Sequence, residues 1–267
     1  MDIEKYFEHI GILKPSSITF EALKEIHKHH LLTVPFENLD IINGEPLSME
    51  PSFIMNKIIH NNRGGICFET NTLLANILLE LGFNVQTVSA KFWNDEKQEW
   101  NPDFSHLALI VKIEGNMYLA DVGVGGGFLE PILMEHNHEY SDSNGAYRVI
   151  NISDTTFILQ KLEESIWKDL LFISTECKHL HQFEEQFLYY QTSSETIFTK
   201  NKIVNRLTND GRITLSDHQL KITKNHIVTI TEFESEEEWN KIYNDIFQPS
   251  KKTKNDSSFG ETYFQLK

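Results

Sequence analysis

Cys67 stands two residues after a Gly-Gly pair, where an apolar helical pattern opens in NNRGGICFETNTLLANILLELG (61–82). A thiol at the start of a helix meets unpaired backbone N–H groups and the positive end of the macrodipole. Both favour the thiolate, the nucleophilic form of sulfur. Gly64 and Gly65 allow a tight chain entry and leave the sulfur approachable. The competing reading is a small apolar residue buried at a helix start. Cys177 is the only other cysteine, so a disulfide framework and a C-x-x-C redox or zinc motif are both excluded.

A sulfur nucleophile needs a base, and the base needs an orienting group. Of twelve histidines, His106 opens the strand-like run HLALIVKIEG, and Asp121 lies in the run MYLADVGVGGG that follows. A carboxylate accepting the imidazole Nδ1–H would fix the tautomer and stabilise the imidazolium. Cys67, His106 and Asp121 therefore form a candidate triad, in a chain order shared by cysteine hydrolases and transferases. Side-by-side placement on two antiparallel strands requires a turn centred between Ile113 and Glu114. The strongest turn signal is Gly115-Asn116, which offsets the two side chains by four residues, on the order of 13 Å. A longer loop or a bulge is expected to close that gap.

After Asp121, the string DVGVGGGF carries glycines at 123, 125, 126 and 127. Backbone N–H groups in such a string can approach a pyrophosphate closely, as anion nests do. It lacks the strand-to-helix context of a dinucleotide fingerprint, and no G-x-x-x-x-G-K-[ST] exists, so nucleotide hydrolysis is not supported. Arg63 and Glu69, on either side of Cys67, are expected to pair and hold the loop. Glu37 and Asn38 are expected to satisfy backbone groups at a helix end, with Phe36 lining a pocket. HKHH (27–30) reads as a surface face with one buried histidine. CKHLH (177–181) has no second half-site, and no metal is assigned.

The elements that must position these groups change character along the chain. The first eighty residues read as helices: DIEKYFEHIGI, FEALKEIHKHHLL, FIMNKIIH and the helix opened by Cys67, with Gly82 as its C-cap. VQTVSAKFW, HLALIVKI and MYLADV then read as strands, with Phe92 and Trp93 ending the first near the site. TFILQKL and DLLFIST continue the pattern. KIVNRLT, RITLSD, QLKITK and HIVTITEF form a later strand group, followed by the helix SEEEWNKIYNDIF with Ser235 as N-cap. PSKKTKNDSS reads as loosely structured. Helices, strands, then strands with a closing helix indicate an α+β chain.

Bulk properties narrow the function. With 267 residues and 40% hydrophobic content the chain can build a substantial core in two or three layers. A formal net charge of −15 argues against nucleic acid and against an anionic membrane surface. The N-terminus shows no signal peptide and no window approaches 18 uninterrupted apolar residues, so a cytoplasmic location with reduced thiols is expected.

VPFENLDI (34–41), RGGICFETN (63–71), HLALIV (106–111) and YLADVGVGGGF (118–128) together resemble the arylamine N-acetyltransferase family. YFEHIG (6–11) and FTKNKIVNRLTNDGR (198–212) extend the likeness over most of the chain. The resemblance implies a helical domain at 1–83 carrying the nucleophile, a β-barrel domain at 84–195 carrying the histidine and aspartate, and an α/β lid at 196–267. The core would be similar to that of cysteine proteases and transglutaminases. It maps the family triad onto Cys67, His106 and Asp121, coenzyme A contacts onto Gly125, Gly126 and Thr192, and acceptor contacts onto Phe36, Phe92 and Val124. The implied reaction is ping-pong. Acetyl-CoA acylates the cysteine and an arylamine, hydrazine or related small amine takes the acetyl group. The Cys67 N–H is expected to help hold the oxyanion. Partners are then small molecules only, to a monomer or homodimer. Two departures stand out. Val124 occupies a position usually aromatic, which puts aryl preference in question. LYYQTSSETIFT (188–199) keeps Thr192, Thr196 and Phe198 but lacks an expected Asn and Pro. A Cys-His-Asp hydrolase or transglutaminase-like enzyme, and a non-catalytic relative that binds coenzyme A, remain open alternatives.

Overall fold

A computed structural model of the chain describes residues 1–248. PSKKTKNDSS lies outside the described residues.

Five helices come first: α1 (Ile3–Ile10), α2 (Phe20–Thr33), α3 (Leu39–Ile42), α4 (Pro51–Met55), which runs on into a π-helical turn at Asn56–His60, and α5 (Cys67–Leu81). A two-residue strand, β1 (Phe36–Glu37), interrupts them. The caps follow the local sequence. The Asp2 carboxylate accepts from the Lys5 N–H, Thr19 Oγ1 accepts from the Ala22 N–H, and Gly82 closes α5 with φ of 93°. Tyr6 and Phe7 of α1, Leu23 and Ile26 of α2, and Phe68, Leu74 and Ile77 of α5 share one core. HKHH buries two histidines rather than one, because His27 and His30 both fall on the inward stripe of α2. Burial pushes His30 down to about 3, with His27 and His9 adding to the effect.

The middle of the chain is a long curled antiparallel sheet. Its strands are β2 (Asn84–Asn94), β3 (Glu99–Trp100), β4 (His106–Ile113), β5 (Asn116–Leu119), β6 (Ile132–Leu133), β7 (Glu139–Asp142), β8 (Gly145–Ser153), β9 (Thr156–Glu163) and β10 (Ile166–Cys177). They run in the order β6-β5-β4-β2-β10-β9-β8-β7, with β3 on β2, and nearly close as a barrel. The inner face buries Val88, Ile110, Phe128, Tyr147, Leu159 and Ile173. The other face of β4 gives Leu107, Leu109 and Val111 to the helical core, so this strand, carrying His106, is buried on both sides.

The turn between β4 and β5 differs from the sequence expectation. Ile113 pairs with Asn116, so the two turn residues are Glu114 and Gly115, at φ of 51° and 85°. Two left-handed residues make the turn type that matches strand twist. Moving the turn back by one residue halves the offset between His106 and Asp121 to two residues. Neither a longer loop nor a bulge is needed.

Helix α6 (Glu184–Thr192) puts Phe187 into the helical core. Four strands follow, β11 (Ile203–Thr208), β12 (Gly211–Ser216), β13 (Gln219–Lys224) and β14 (Ile227–Glu232), and then α7 (Glu236–Phe247). The second sheet runs β1-β11-β12-β13-β14, so Phe36 and Glu37 of the helical segment are its first strand. Ser235 Oγ accepts from the Glu238 N–H and caps α7. Trp239, Ile242 and Phe247 of that helix cover Val204, Leu215 and Leu220 of the sheet. Among the described residues no helix is long and apolar enough to cross a membrane.

Candidate active site

Cys67 is the first residue of α5 and only 6% exposed. As a first helical residue its N–H has no partner within the helix. The loop leading into it is held from behind by buried charges. Glu69 Oε2 reaches back to the Ile66 N–H at 3.1 Å, and Glu69 Oε1 meets Lys57 Nζ at 2.8 Å. Lys57 Nζ also meets Asp40 at 2.9 Å, and Asp40 meets Arg63 at 2.7 Å. Arg63 Nε and the Gly64 N–H both donate to Glu37 Oε1 at 2.7 Å. Arg63 and Glu69 are therefore not a pair, contrary to the sequence expectation. Glu69, in the first turn of α5, faces inward to its own N-cap, while Arg63 precedes the turn and faces Glu37. Burial pushes Glu69 up to about 7 against the pull of Lys57. Lys57 has two carboxylates, Glu69 and Asp40, which outweigh its burial and raise it, so it stays a cation. A Cβ at Gly64 would lie 2.0 Å from the Pro35 carbonyl oxygen, so close backbone packing is the reason for that glycine.

His106 and Asp121 are each 1% exposed, and His106 Nε2 lies 2.6 Å from Asp121 Oδ2. The carboxylate thus holds Nε2 and not Nδ1 as expected, which leaves Nδ1 to meet the Cys67 sulfur beside it. Burial by itself would lower His106. The Asp121 carboxylate and the Cys67 sulfur outweigh it and raise the imidazole to about 10. Burial likewise opposes ionisation of Asp121. His106, Asn71 and the Gly123 N–H together hold its carboxyl below the ordinary range. Phe92 covers the imidazole edge-on, ring centres 4.8 Å apart.

Asn71 was not singled out in the sequence, yet it ties the three parts together. Its Nδ2 donates to Asp121 Oδ1 and to the Leu107 carbonyl, both at 2.7 Å, and its Oδ1 accepts from the Val122 N–H at 2.9 Å. The readable signal is its spacing: four residues after Cys67 on a helix is the same face, one turn on. Gly123 fits against Cys67 itself, since a Cβ there would lie 2.6 Å from both its Cα and its Cβ.

The glycine string forms a tight turn, with the Gly127 N–H donating to the Val124 carbonyl at 2.7 Å and Gly126 at φ of 93°. Gly125 is exposed and faces Phe36, whose ring begins 3.4 Å from where its Cβ would be. Gly126 is buried under Arg212. Val124 is 8% exposed. Phe36 starts an aromatic wall that continues through Phe198 at 5.9 Å to Tyr190 at 5.3 Å, and from Tyr190 to Phe68 at 6.0 Å. Tyr190 escaped the sequence reading. Burial, with the nearby Cys67 sulfur, raises its phenol to about 12. Thr192, the last residue of α6, is exposed, and its hydroxyl donates to the Leu188 carbonyl of its own helix at 2.9 Å. Asn38 stands at the N-cap position of α3, as expected, but its side chain makes no capping bond there. Its Nδ2 donates to the carbonyls of Phe198 and Asn201, both at 2.7 Å, and its Oδ1 accepts from the Ile203 N–H at 2.8 Å. It thereby fixes the segment that carries the aromatic wall. Among the described residues no group of three His, Cys, Asp or Glu side chains is placed to hold a metal.

A buried thiol, imidazole and carboxylate in a row, beside an apolar wall, is an arrangement for acyl chemistry at sulfur. Comparison with known proteins gives the family. The N-acetyltransferase family model matches residues 19–253. The arylamine N-acetyltransferase pineal gland isozyme NAT-10 of Gallus gallus is 30% identical over 84% of each chain. Arylamine N-acetyltransferase 1 of Homo sapiens is 27% identical across the full length of both. Among solved structures, arylamine N-acetyltransferase C of Bacillus anthracis superposes with a TM-score of 0.84 at 25% identity, covering 94% of this chain and 99% of that one. A Bacillus cereus arylamine N-acetyltransferase described as having a Cys-His-Glu triad shares the fold, with a TM-score of 0.83 at 24% identity over 91% and 97% of the two chains. This fold is the one shared with cysteine proteases, and the chain is an acyltransferase that belongs to the arylamine N-acetyltransferase family.

Proposed function

We propose that this chain moves an acetyl group from acetyl-CoA to an arylamine, hydrazine or related small amine through a thioester on Cys67. The Cys67 thiolate attacks the thioester carbonyl of the donor. The carbon–sulfur bond to coenzyme A breaks, and the departing thiolate takes its proton from His106. The neutral imidazole then accepts a proton from the incoming amine as nitrogen attacks the Cys67 thioester. The carbon–sulfur bond to Cys67 breaks, which returns the thiolate and imidazolium. Asp121 orients His106 and balances its charge. The Cys67 N–H is one donor to the oxyanion of each step. Phe36, Phe92 and Val124 bound the acceptor side, joined by Phe198 and Tyr190. Gly125 and Gly126 approach the donor, and Thr192 lies at its rim.

The observation that supports this reading most is the 2.6 Å contact of His106 Nε2 with Asp121, which leaves the other ring nitrogen for the sulfur. The test is intact-protein mass after mixing with acetyl-CoA. An acetyl adduct that is absent in Cys67→Ala and is discharged by an arylamine, with one coenzyme A released per turnover, is expected. Peptide cleavage with no adduct would favour a hydrolase. Coenzyme A affinity with neither adduct nor turnover would favour a non-catalytic binder.

A further inference from the structure

A second polar cluster lies at the far side of the glycine turn from Cys67. The hairpin between β7 and β8 folds Ser143 and Asn144 inward, and Ser143 Oγ, both side-chain polar atoms of Asn144 and the Tyr147 hydroxyl are buried without a hydrogen-bonding partner among the described residues. Lys161 stands directly opposite Tyr147 across β8 and β9, with Nζ 5.7 Å from the ring centre. From the second sheet, Arg212 reaches the Gly126 carbonyl at 3.4 Å. Neither cation forms an ion pair among the described residues. Of the carboxylates in this neighbourhood, Asp142 already accepts from the Leu129 N–H, the Tyr140 hydroxyl and the Asn144 N–H at 2.7–3.0 Å, and Glu163 meets Lys168 at 3.2 Å. Burial, reinforced by Arg212, lowers Lys161.

A structural ion cluster would place a carboxylate on these cations, because an unpaired buried charge is costly. Here two cations, a phenol, a hydroxyl and an amide lie together, neither cation has a carboxylate within ion-pair distance among the described residues, and the nearby carboxylates Asp142 and Glu163 are engaged by other groups. We infer that Arg212, Lys161, Tyr147, Ser143 and Asn144 form a binding site for a small oxyanion, a phosphoryl or carboxylate group of a substrate. The turn that holds Gly126 against Arg212 also holds Gly123 against Cys67, so one short glycine turn joins the site to the sulfur. In a chain of net charge −15 such a local positive site is what an anionic substrate requires. The identity of the substrate rests on the acetyl-transfer reading; the site itself does not.

The direct test is calorimetric titration of the full chain with inorganic pyrophosphate. Binding is expected, weakened about tenfold to a hundredfold in Arg212→Gln and in Lys161→Gln, as for the loss of one charge-assisted hydrogen bond. No binding to the parent chain, or equal binding to all three, overturns the site. Thermal unfolding checks that each variant folds; if Arg212→Gln does not, Lys161→Gln decides. Kinetics then identify the source of the anion. A raised KM for acetyl-CoA with that for S-acetylpantetheine unchanged assigns the site to the donor phosphates. A raised KM for 4-aminobenzoate with that for 4-aminobenzamide unchanged assigns it to an acidic acceptor. Equal effects on charged and neutral substrates count against both and overturn the substrate role. A parent chain that transfers no acetyl group from any donor would refute the acetyl-transfer reading and leave the titration result standing.

Discussion

His106 and Asp121 meet diagonally across the β4–β5 hairpin. Continuing the pairing of Ile110 with Leu119, Asp121 falls opposite Ala108, two residues from His106 and on the same face. Diagonal neighbours stand roughly 7–8 Å apart at the backbone, a span that an imidazole and a carboxylate can bridge. The 2.6 Å bond between them follows from that register.

Replacing Asp121 by Asn should remove the anion that braces His106 while keeping the side-chain shape. Acetylation of Cys67 is expected to fall by on the order of 10⁴-fold, as when a buried triad carboxylate is lost elsewhere. Single-turnover mass measurements with acetyl-CoA check this; undiminished acetylation would remove Asp121 from the mechanism.

The protonation of His106 carries a signed pH dependence. The unfolded imidazole releases its proton near 6.5, while the folded one keeps it to about 10. The stability this contributes is full below 6.5 and is lost as pH rises towards 10. Denaturant unfolding of the parent and of His106→Gln at pH 6, 8 and 10 should show the gap between them narrowing over that interval. A constant gap, or an imidazole NMR shift that titrates near 6.5 in the folded chain, would contradict it.

Gly123→Ala should be far more damaging than Gly115→Ala, although both remove a glycine from the same region. At Gly123 the new methyl meets Cα and Cβ of Cys67, whereas at Gly115 nothing lies within 4 Å and only the left-handed backbone, φ 85°, is strained. Overpacking at Gly123 should cost about 1–3 kcal/mol and displace the sulfur, with acetylation lost. Gly115→Ala should cost about 1–2 kcal/mol and leave turnover intact. Unfolding curves and turnover for the two variants decide the matter, and similar turnover in both would sink it.

Lys57→Met should destabilise the chain by roughly 3–5 kcal/mol at pH 8, because Glu69 must then either stay a buried anion without its cation or take up a proton at a pH where it would otherwise be ionised. The loss should shrink towards pH 5, where Glu69 takes up a proton. A cost that does not change with pH would show that Lys57 contributes packing alone.

The parts of the site that the sequence made legible are those coded locally. Cys67 was readable because glycines, a polar break and a helical stripe coincide at one point, and His106 because it opens an apolar run. Ser235 and Gly82 were readable as caps because a cap depends on a few adjacent residues. What escaped depends on packing between distant segments. Lys57 reaches Glu69 through a π-helical turn whose rotation no local pattern announces. Asn38 does stand at the start of α3, but its side chain bonds residues 198–203, which reach it because β1 joins β11. Tyr190 reads as one of two adjacent tyrosines on α6, and only the packing of that helix on Phe68 decides which of them faces Cys67. The β4–β5 register turned on one residue: Glu114 adopts the left-handed conformation that its side chain disfavours and that an Asn would have advertised.

The three hydrogen bonds of Asn38 to Phe198, Asn201 and Ile203 have a consequence for synthesis. Helix α5, His106 and Asp121 all leave the ribosome before residue 198 exists, so the nucleophile and its partners can assemble while one side of the pocket is still unmade. Until β11 emerges and docks on Phe36, the nascent chain carries Cys67 without the Phe36–Phe198–Tyr190 wall complete.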